Sequence, residues 1–383
     1  MTSASALVSL WNRAAEWERR LAMIRDARSF LYLSTFYIEY DAYAIELVDA
    51  LLAAQQRGVS VHLLVDAFGQ KLGGIVMSSD QRASLRRALD RLRSAGVVVT
   101  MYRAPRVVQR LVGGGQHVKI QVSDAGEALF SSGNITKVSY EEWNENAVAV
   151  RGPVVRMMLE SLREIGGAVQ TDHLDALDVV AAREVADLPL DYWFFNPNPG
   201  QGLFGPIGWR GRNPVTDHMI EMLDAAVTSA RITSFYFKPT PALMDAVLRA
   251  AARGVAVEVF HSHRDALPTT DLAWIAAAVN YDRLLDASVA IYEHLHGEHS
   301  KIVLIDDAWA AFGSYNFEDA AHDRLAEAML ASRDRRAVEP AVAIFNLLRA
   351  DPRNQRVTSA SFKALPDALR VRVARYGRFK RWM

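Results

Sequence analysis

Apolar residues along this chain follow two alternating rhythms. Ala27-Arg28 leads into Phe30-Leu31-Tyr32-Leu33, and Ala230-Arg231 leads into Ile232-Thr233-Ser234-Phe235-Tyr236-Phe237, both runs rich in the β-branched and aromatic residues that predict strands. After each comes an Ala/Leu-rich stretch with helical spacing, closed by Arg57-Gly58 or Arg253-Gly254 with the glycine placed to cap the helix. A further strand follows through Val59-Ser60-Val61 or Val255-Ala256-Val257. The predicted order in each half is strand, helix, strand, helix, strand. This alternation predicts an α/β fold with largely parallel sheets covered by helices on both faces, because crossover helices bury both sides of a sheet.

A second repeat, of polar residues, lies over this rhythm. His117, Lys119, Asp124, Ser132, Asn134 and Glu145 recur as His299, Lys301, Asp306, Ser314, Asn316 and Glu327, all at the one spacing that separates His117 from His299. A fixed interval marks a duplicated unit, and reactive repeated letters predict a site assembled from two halves. Residues 116–122 and 299–305 read as strands, in which His and Lys two positions apart point the same way. Asp124 and Asp306 fall at the following turns, where an aspartate serves by bonding to nearby backbone. The return strands, through Leu129-Phe130 and Ala311-Phe312, bring Ser132 and Asn134, or Ser314 and Asn316, back to the His-Lys end.

Two such halves about a pseudo-two-fold axis present paired histidines, lysines and asparagines to one cleft. That set suits a phosphodiester without calling for a metal or other cofactor. Two ammonium groups and two amides neutralise the phosphoryl oxygens, one imidazole attacks phosphorus, and the other protonates the leaving alcohol and then activates the incoming one. Histidine fits both tasks with an ordinary pKa of about 6.5. Glu145 and Glu327 are the expected partners that orient the rings. Pseudo-symmetry leaves His117 and His299 equivalent on chemistry alone, so either can be the nucleophile and the other the general acid.

Composition narrows the class of partner. The 383 residues carry 44 basic and 44 acidic side chains, so no global field draws the chain to nucleic acid. The absence of cysteine excludes disulfides and thiolate chemistry. No apolar run is long enough to span a bilayer, and Ala6–Trp11 is too short for a signal core, which predicts a cytoplasmic protein, soluble or peripheral on the membrane. Residues 361–383 combine Lys363, Arg370, Arg372, Arg375, Arg378, Lys380 and Arg381 with Leu369, Val371, Val373, Tyr376, Phe379 and Trp382. That mixture suits an anionic membrane surface, or else a final element docked on the body. Pro189, Pro197, Pro199, Pro206 and Pro214 interrupt periodicity among Trp193, Phe194, Phe195, Phe204 and Trp209, predicting a connector that packs along the junction. The expected division is therefore 1–187, a connector 188–214, 215–360, and a tail 361–383.

The paired His-x-Lys-x(4)-Asp motifs, each followed by Ser and Asn, resemble those of the phospholipase D superfamily. Ser132-Gly133-Asn134-Ile135, Trp143-Asn144-Glu145, Arg151-Gly152-Pro153-Val154, Phe235-Tyr236-Phe237-Lys238-Pro239 and Gly313-Ser314-Tyr315-Asn316 are most similar to the bacterial cardiolipin synthases. The resemblance covers roughly residues 27–330. It implies two α/β/α sandwich halves with the active site at their interface, and phosphatidyl transfer through a phosphohistidine on a phospholipid such as phosphatidylglycerol, with His117 as the nucleophile and His299 as the general acid. Gly113-Gly114-Gly115-Gln116 before His117, Ser131 in place of Gly, Glu145 in place of Asp and the lack of N-terminal membrane helices depart from the pattern. Two competing readings use the same residues: a nucleic-acid phosphodiesterase or endonuclease, and a catalytically silent membrane-binding module. Net charge and the lack of an aromatic-interleaved basic groove weigh against the first, and both complete motifs against the second.

Other polar residues receive plainer readings. His294 and His296 beside His299 suggest a metal, but the first half has no equivalents, so no metal site is expected. His62 reads as a satisfied sheet residue, and His261 and His263 as a solvated loop or the border of the cleft. Two loops, the apolar run Leu72–Met77, outside any evident helix, and the stretch with Arg103, Arg106 and Arg110 among Val107, Val108, Leu111 and Val112, are candidates to shape the acceptor or lipid site.

Overall fold

The protein is described here from a computed structural model covering residues 2–198, 211–266 and 270–382. Pro199, Phe204, Pro206, Trp209 and the side chain of Trp382 lie outside the described residues. Two sheets carry the fold. The seven-stranded sheet runs, edge to edge, Ala6–Leu10, Ala147–Arg151, Glu127–Ser131, Ile120–Ser123, Phe30–Thr35, Ser60–Asp66, Val98–Tyr102. The ten-stranded sheet repeats that order as Leu188–Phe195, Leu325–Ser332, Trp309–Gly313, Ile302–Ile305, Ser229–Thr233, Ala256–Ser262, Ala290–His294, with Thr2–Ala4 and Asn354–Val357 added at its edges and the two-residue strand Gly115–Gln116 paired to Leu325–Ser332. The N-terminal chain joins both sheets, since Thr2–Ala4 pairs with residues 188–190 and Ala6–Leu10 with residues 147–151.

The sheets are mixed, which corrects the expectation of a largely parallel arrangement. The strand–helix–strand crossovers are parallel, Phe30–Thr35 with Ser60–Asp66 and Val98–Tyr102, and Ser229–Thr233 with Ala256–Ser262 and Ala290–His294, as is the short pairing of Gly115–Gln116 with Leu325–Ala326. The motif strands form hairpins with register Ser123↔Glu127 and Ile305↔Trp309, and a turn that short joins antiparallel strands alone. Helices Ala42–Gln56 and Pro241–Ala252 supply the first crossovers, each ending on Arg57 or Arg253 before a glycine at φ +89° or +88°. That left-handed geometry is open to glycine at little cost, as the C-cap reading requires.

Helices cover both faces. Each lobe has its own outer core, around Leu33, Leu47, Leu51, Val61 and Leu89 in the first and Val247, Val259, Trp274, Tyr281 and Ile291 in the second. A third core is shared, in which Phe30, Val122, Phe130 and Val150 of one sheet pack with Phe260, Leu304, Phe312 and Leu330 of the other between helices Val154–Glu164 and Arg335–Ala350. This apolar contact fixes how the lobes face each other. The expected connector enters as a strand of the second sheet, Leu188–Phe195, between Thr2–Ala4 and Leu325–Ser332, with Asp191 opposite Ala331. The C-terminal helix Asp367–Tyr376 docks on the second lobe by burying Leu369 and Val373 and pairing Arg372 with Asp271 at 2.7 Å.

Candidate active site

Each motif hairpin has a structural end and an open end. At the turn, Asp124 accepts hydrogen bonds from the Ser29 backbone N–H at 2.7 Å and the Ser29 hydroxyl at 2.8 Å. Asp306 likewise accepts from the backbone N–H groups of Val227, Thr228 and Ser229 at 2.9, 2.7 and 2.8 Å. Neither aspartate lines the cleft; each ties the start of its lobe's first strand to the hairpin. At the other end Ser131 N–H donates to the Lys119 carbonyl at 2.9 Å, and Gly313 N–H to the Lys301 carbonyl at 3.1 Å. Ladder pairing begins only at Ile120 and Ile302, so the expected strands over 116–122 and 299–305 are shorter than the sequence predicts.

The reason is that the His-x-Lys segments cross to the opposite lobe. Gln116 pairs in parallel with Ala326, and its twin Glu298 pairs with Asn144. His117 N–H then donates to the Ala326 carbonyl and His299 N–H to the Asn144 carbonyl, both at 2.8 Å. The residue before each histidine is also held from below by the second strand of its own lobe. Asp66 accepts from Gln116 N–H, and the Ser262 hydroxyl from Glu298 N–H, both at 2.9 Å.

This crossing exchanges the glutamates. The His299 Nδ1 lies 2.8 Å from Glu145 Oε1, and the His117 Nδ1 lies 3.1 Å from Glu327 Oε1, so each imidazole is oriented by the other lobe's carboxyl. Each carboxyl is anchored in its own lobe, Glu145 by the Ser132 hydroxyl at 2.6 Å and Glu327 by that of Ser314. Both histidines turn the remaining nitrogen toward one cleft of about 480 Å³, which they line together with Asn134, Asn316, Phe36, Trp143 and Phe235. Phe36 stands edge-on to His117 at 4.9 Å and Phe235 to His299 at 4.5 Å between centroids. These phenylalanines were hidden because the second-half strand was expected to run on to Phe237. It ends at Thr233, and Phe36, Tyr37 and Phe235 line the cleft, while Tyr236 is buried in the second lobe's core.

The lysines lie just behind the rings, almost wholly buried, with Lys119 Nζ donating to the His117 carbonyl at 2.9 Å and Lys301 Nζ to that of His299. Burial, reinforced by Lys301, pushes Lys119 down to about 7, and burial pushes Lys301 down to about 8. Burial also lowers both histidines, His117 well below the ordinary range with Lys119 and Lys301 adding to the effect, and His299 only to about 4 because Glu145 opposes it. The carboxyls differ in the same sense. Burial raises Glu327 well above the carboxylate range, whereas at Glu145 the pull of His299 and Lys301 overcomes burial and holds it at about 2. His117 Nδ1 also faces the Ser314 carbonyl at 3.1 Å, an acceptor only, so the proton sits on Nδ1 and the lone pair of Nε2 faces the cleft.

Asn316 Oδ1 accepts from Phe235 N–H at 3.2 Å, while Asn134 Oδ1 is buried with no partner. His294 is buried against Asp351 at 3.4 Å and does not line the cleft. His261 is neither solvated nor at the border; it is fully buried with its Nε2 2.8 Å from the Tyr281 hydroxyl, because its strand is covered by helix Tyr281–Asp286. His62 stacks on Tyr32 at 4.2 Å with its Nε2 3.0 Å from the Ser60 hydroxyl. Leu72–Val76 belongs to a helix, Ala67–Val76, and Val107–Leu111 to a short one, which corrects the reading of both as loops.

Comparison with known proteins gives the same picture. The family described as "Cardiolipin synthase, PLD-like domain" matches residues 21–164 and 219–349, one segment per lobe. Cardiolipin synthase B of Salmonella typhimurium is 28% identical over 337 residues, covering 82% of this chain and 72% of that protein. Cardiolipin synthase A of Pseudomonas aeruginosa is 27% identical over 346 residues, covering 85% of this chain and 63% of its own. In structure, the phosphatidylserine synthase of Haemophilus influenzae Rd KW20 superposes with a TM-score of 0.75 at 14% identity, covering 100% of this chain and 96% of its own. With both lobes matched in order and the fold shared end to end, the chain belongs to the phospholipase D superfamily, in the family of cardiolipin synthase, PLD-like domains.

Proposed function

We propose that this phospholipase D-type enzyme transfers a phosphatidyl group from a phospholipid to an alcohol, as its cardiolipin synthase relatives are named for doing, through a phosphohistidine. The observation that carries the reading is the crossed pair of His–Glu contacts, which opens both imidazoles onto a single cleft. His117 Nε2 attacks phosphorus, and the P–O bond to the headgroup breaks as His299 donates a proton to the departing oxygen. The same His299 then takes the proton of the acceptor hydroxyl, whose oxygen attacks phosphorus and releases His117. The unequal environments favour this order. The more strongly depressed His117 is the free base with its lone pair in the cleft, and His299, held by an ionised Glu145, is better able to carry a proton.

Lys119, Lys301, Asn134 and Asn316 supply positive charge and donors around the phosphoryl oxygens, the role for which pre-placed groups are most effective. The apolar wall of the cleft, from Phe68, Leu72, Ile75 and Val76, suits acyl chains rather than a sugar-phosphate strand. Glu145 and Glu327 act through the histidines, and Asp124 and Asp306 through the hairpins. Incubation with phosphatidylglycerol vesicles, reading cardiolipin, phosphatidic acid and free glycerol, tests the reading. Cardiolipin with glycerol is expected; no lipid product, or salt-sensitive cleavage of DNA instead, overturns it.

A further inference from the structure

The first lobe carries an apolar surface that extends from the cleft wall out to solvent. On helix Ala67–Val76, Leu72, Ile75 and Val76 are 41%, 64% and 40% exposed, and on Val107–Leu111, Val107, Val108 and Leu111 are 64%, 40% and 78% exposed. The segment just after the second helix packs on the first, where Gly113 approaches the Phe68 ring so closely that a Cβ there would lie 3.1 Å from it. Leu72, Ile75 and Val76 also line the catalytic cleft, so the surface and the cleft wall are continuous. Lys71, Arg103, Arg106 and Arg110 are exposed within the same two segments, residues 67–77 and 103–112, which contain no aspartate or glutamate.

We propose that this face is the surface by which the protein seats itself on an anionic bilayer, so that the cleft opens directly into lipid. The inference rests on the phospholipid reading above and adds where the membrane lies. Exposed aliphatic side chains ringed by cations are what an anionic lipid surface recognises, by burial of apolar area and by attraction to the headgroups. A protein partner on this face would cover the mouth of the cleft, whereas a bilayer occupies it and supplies the substrate. Gly69 and Gly73 support the arrangement, since a Cβ on either would come within 2.5 Å of Phe36 or the Tyr37 ring, and the helix therefore lies directly on the cleft aromatics.

The chain has no cysteine, so single cysteines can be introduced without background. The 383-residue chain carrying Ile75→Cys, Val107→Cys or Leu111→Cys, labelled with an environment-sensitive fluorophore, is mixed with phosphatidylglycerol vesicles. Labels at these positions are expected to shift to the blue and brighten, and Val185→Cys and Val227→Cys, 81% and 75% exposed elsewhere, to remain unchanged. Val107→Asp combined with Leu111→Asp should weaken vesicle partitioning about ten-fold or more, with the thermal unfolding curve of the parent retained. The same shifts are expected in a His117→Ala background, where catalysis is removed, so that failure of the membrane face and failure of the enzymatic reading are separable. A shift confined to Phe379→Cys in the tail, no shift at the three positions with the protein bound, or a vesicle-independent shift that grows with protein concentration would each overturn the proposal.

Discussion

At the scale of single residues, the exchange of glutamates between lobes governs the site. A carboxyl that reaches across the interface makes each imidazole's orientation depend on the docking of the lobes, because His299 answers to Glu145 and His117 to Glu327. Glu145→Gln is expected to lower kcat about 100-fold or more with little change in KM, as loss of an orienting carboxylate does in other His-dependent sites. In the proposed reaction the lysines set the alkaline limit, because they neutralise phosphate only as ammonium ions, and burial holds Lys119 at about 7 and Lys301 at about 8 in the free protein. Raising the pH through that range discharges them, so kcat/KM should fall above pH 7 to 8, while kcat, which reports the complex, should persist to higher pH because bound phosphodiester stabilises both charges. A kcat/KM that stays level to pH 10 would contradict this. The reactive letters were legible in the sequence because they recur at one spacing. The crossing was not, since equal spacing says that the halves are alike without saying which half's glutamate meets which histidine.

At the scale of elements, the hairpin separates two jobs that the motif writes as one. Asp306 accepts three backbone N–H groups at the turn, at the opposite end of its hairpin from the cleft-lining Asn316. Asp306→Ala should therefore cost about 1 to 3 kcal/mol of stability in chemical denaturation, with kcat close to that of the parent well below the unfolding temperature. A large loss of kcat in a fully folded Asp306→Ala protein would assign the aspartate to the chemistry instead. Periodicity identified the first strands and the glycine-capped helices, where local rules are strong. It missed the helix Ala67–Val76, whose glycines at 69, 73 and 74 weaken any helical signal, and it made the sheets too parallel because the antiparallel motif strands were read apart from the crossovers. The tail docks through Leu369 and Val373, as its alternation of apolar and basic residues allows, while Val371 and Phe379 stay exposed.

At the scale of the whole molecule, the proposed reaction makes the two lobes one catalytic unit inside one chain. The shared core and the reciprocal pairings Gln116–Ala326 and Glu298–Asn144 hold both motifs at the interface, so neither lobe contains a complete site. Mixing His117→Ala protein with His299→Ala protein should consequently restore no turnover; recovered activity would mean that lobes exchange between chains. Family membership and the duplicated motif were readable from the letters, and the way the lobes interlock became visible only in three dimensions. The most direct test of the account is to quench the enzyme with acid-free denaturant during turnover of acyl-labelled phosphatidylglycerol and map the label. The account predicts a phosphatidyl group on His117, absent from His117→Ala protein, with headgroup label released rather than retained. Label that persists in His117→Ala protein, or turnover with no covalent adduct at any quench time, would contradict it.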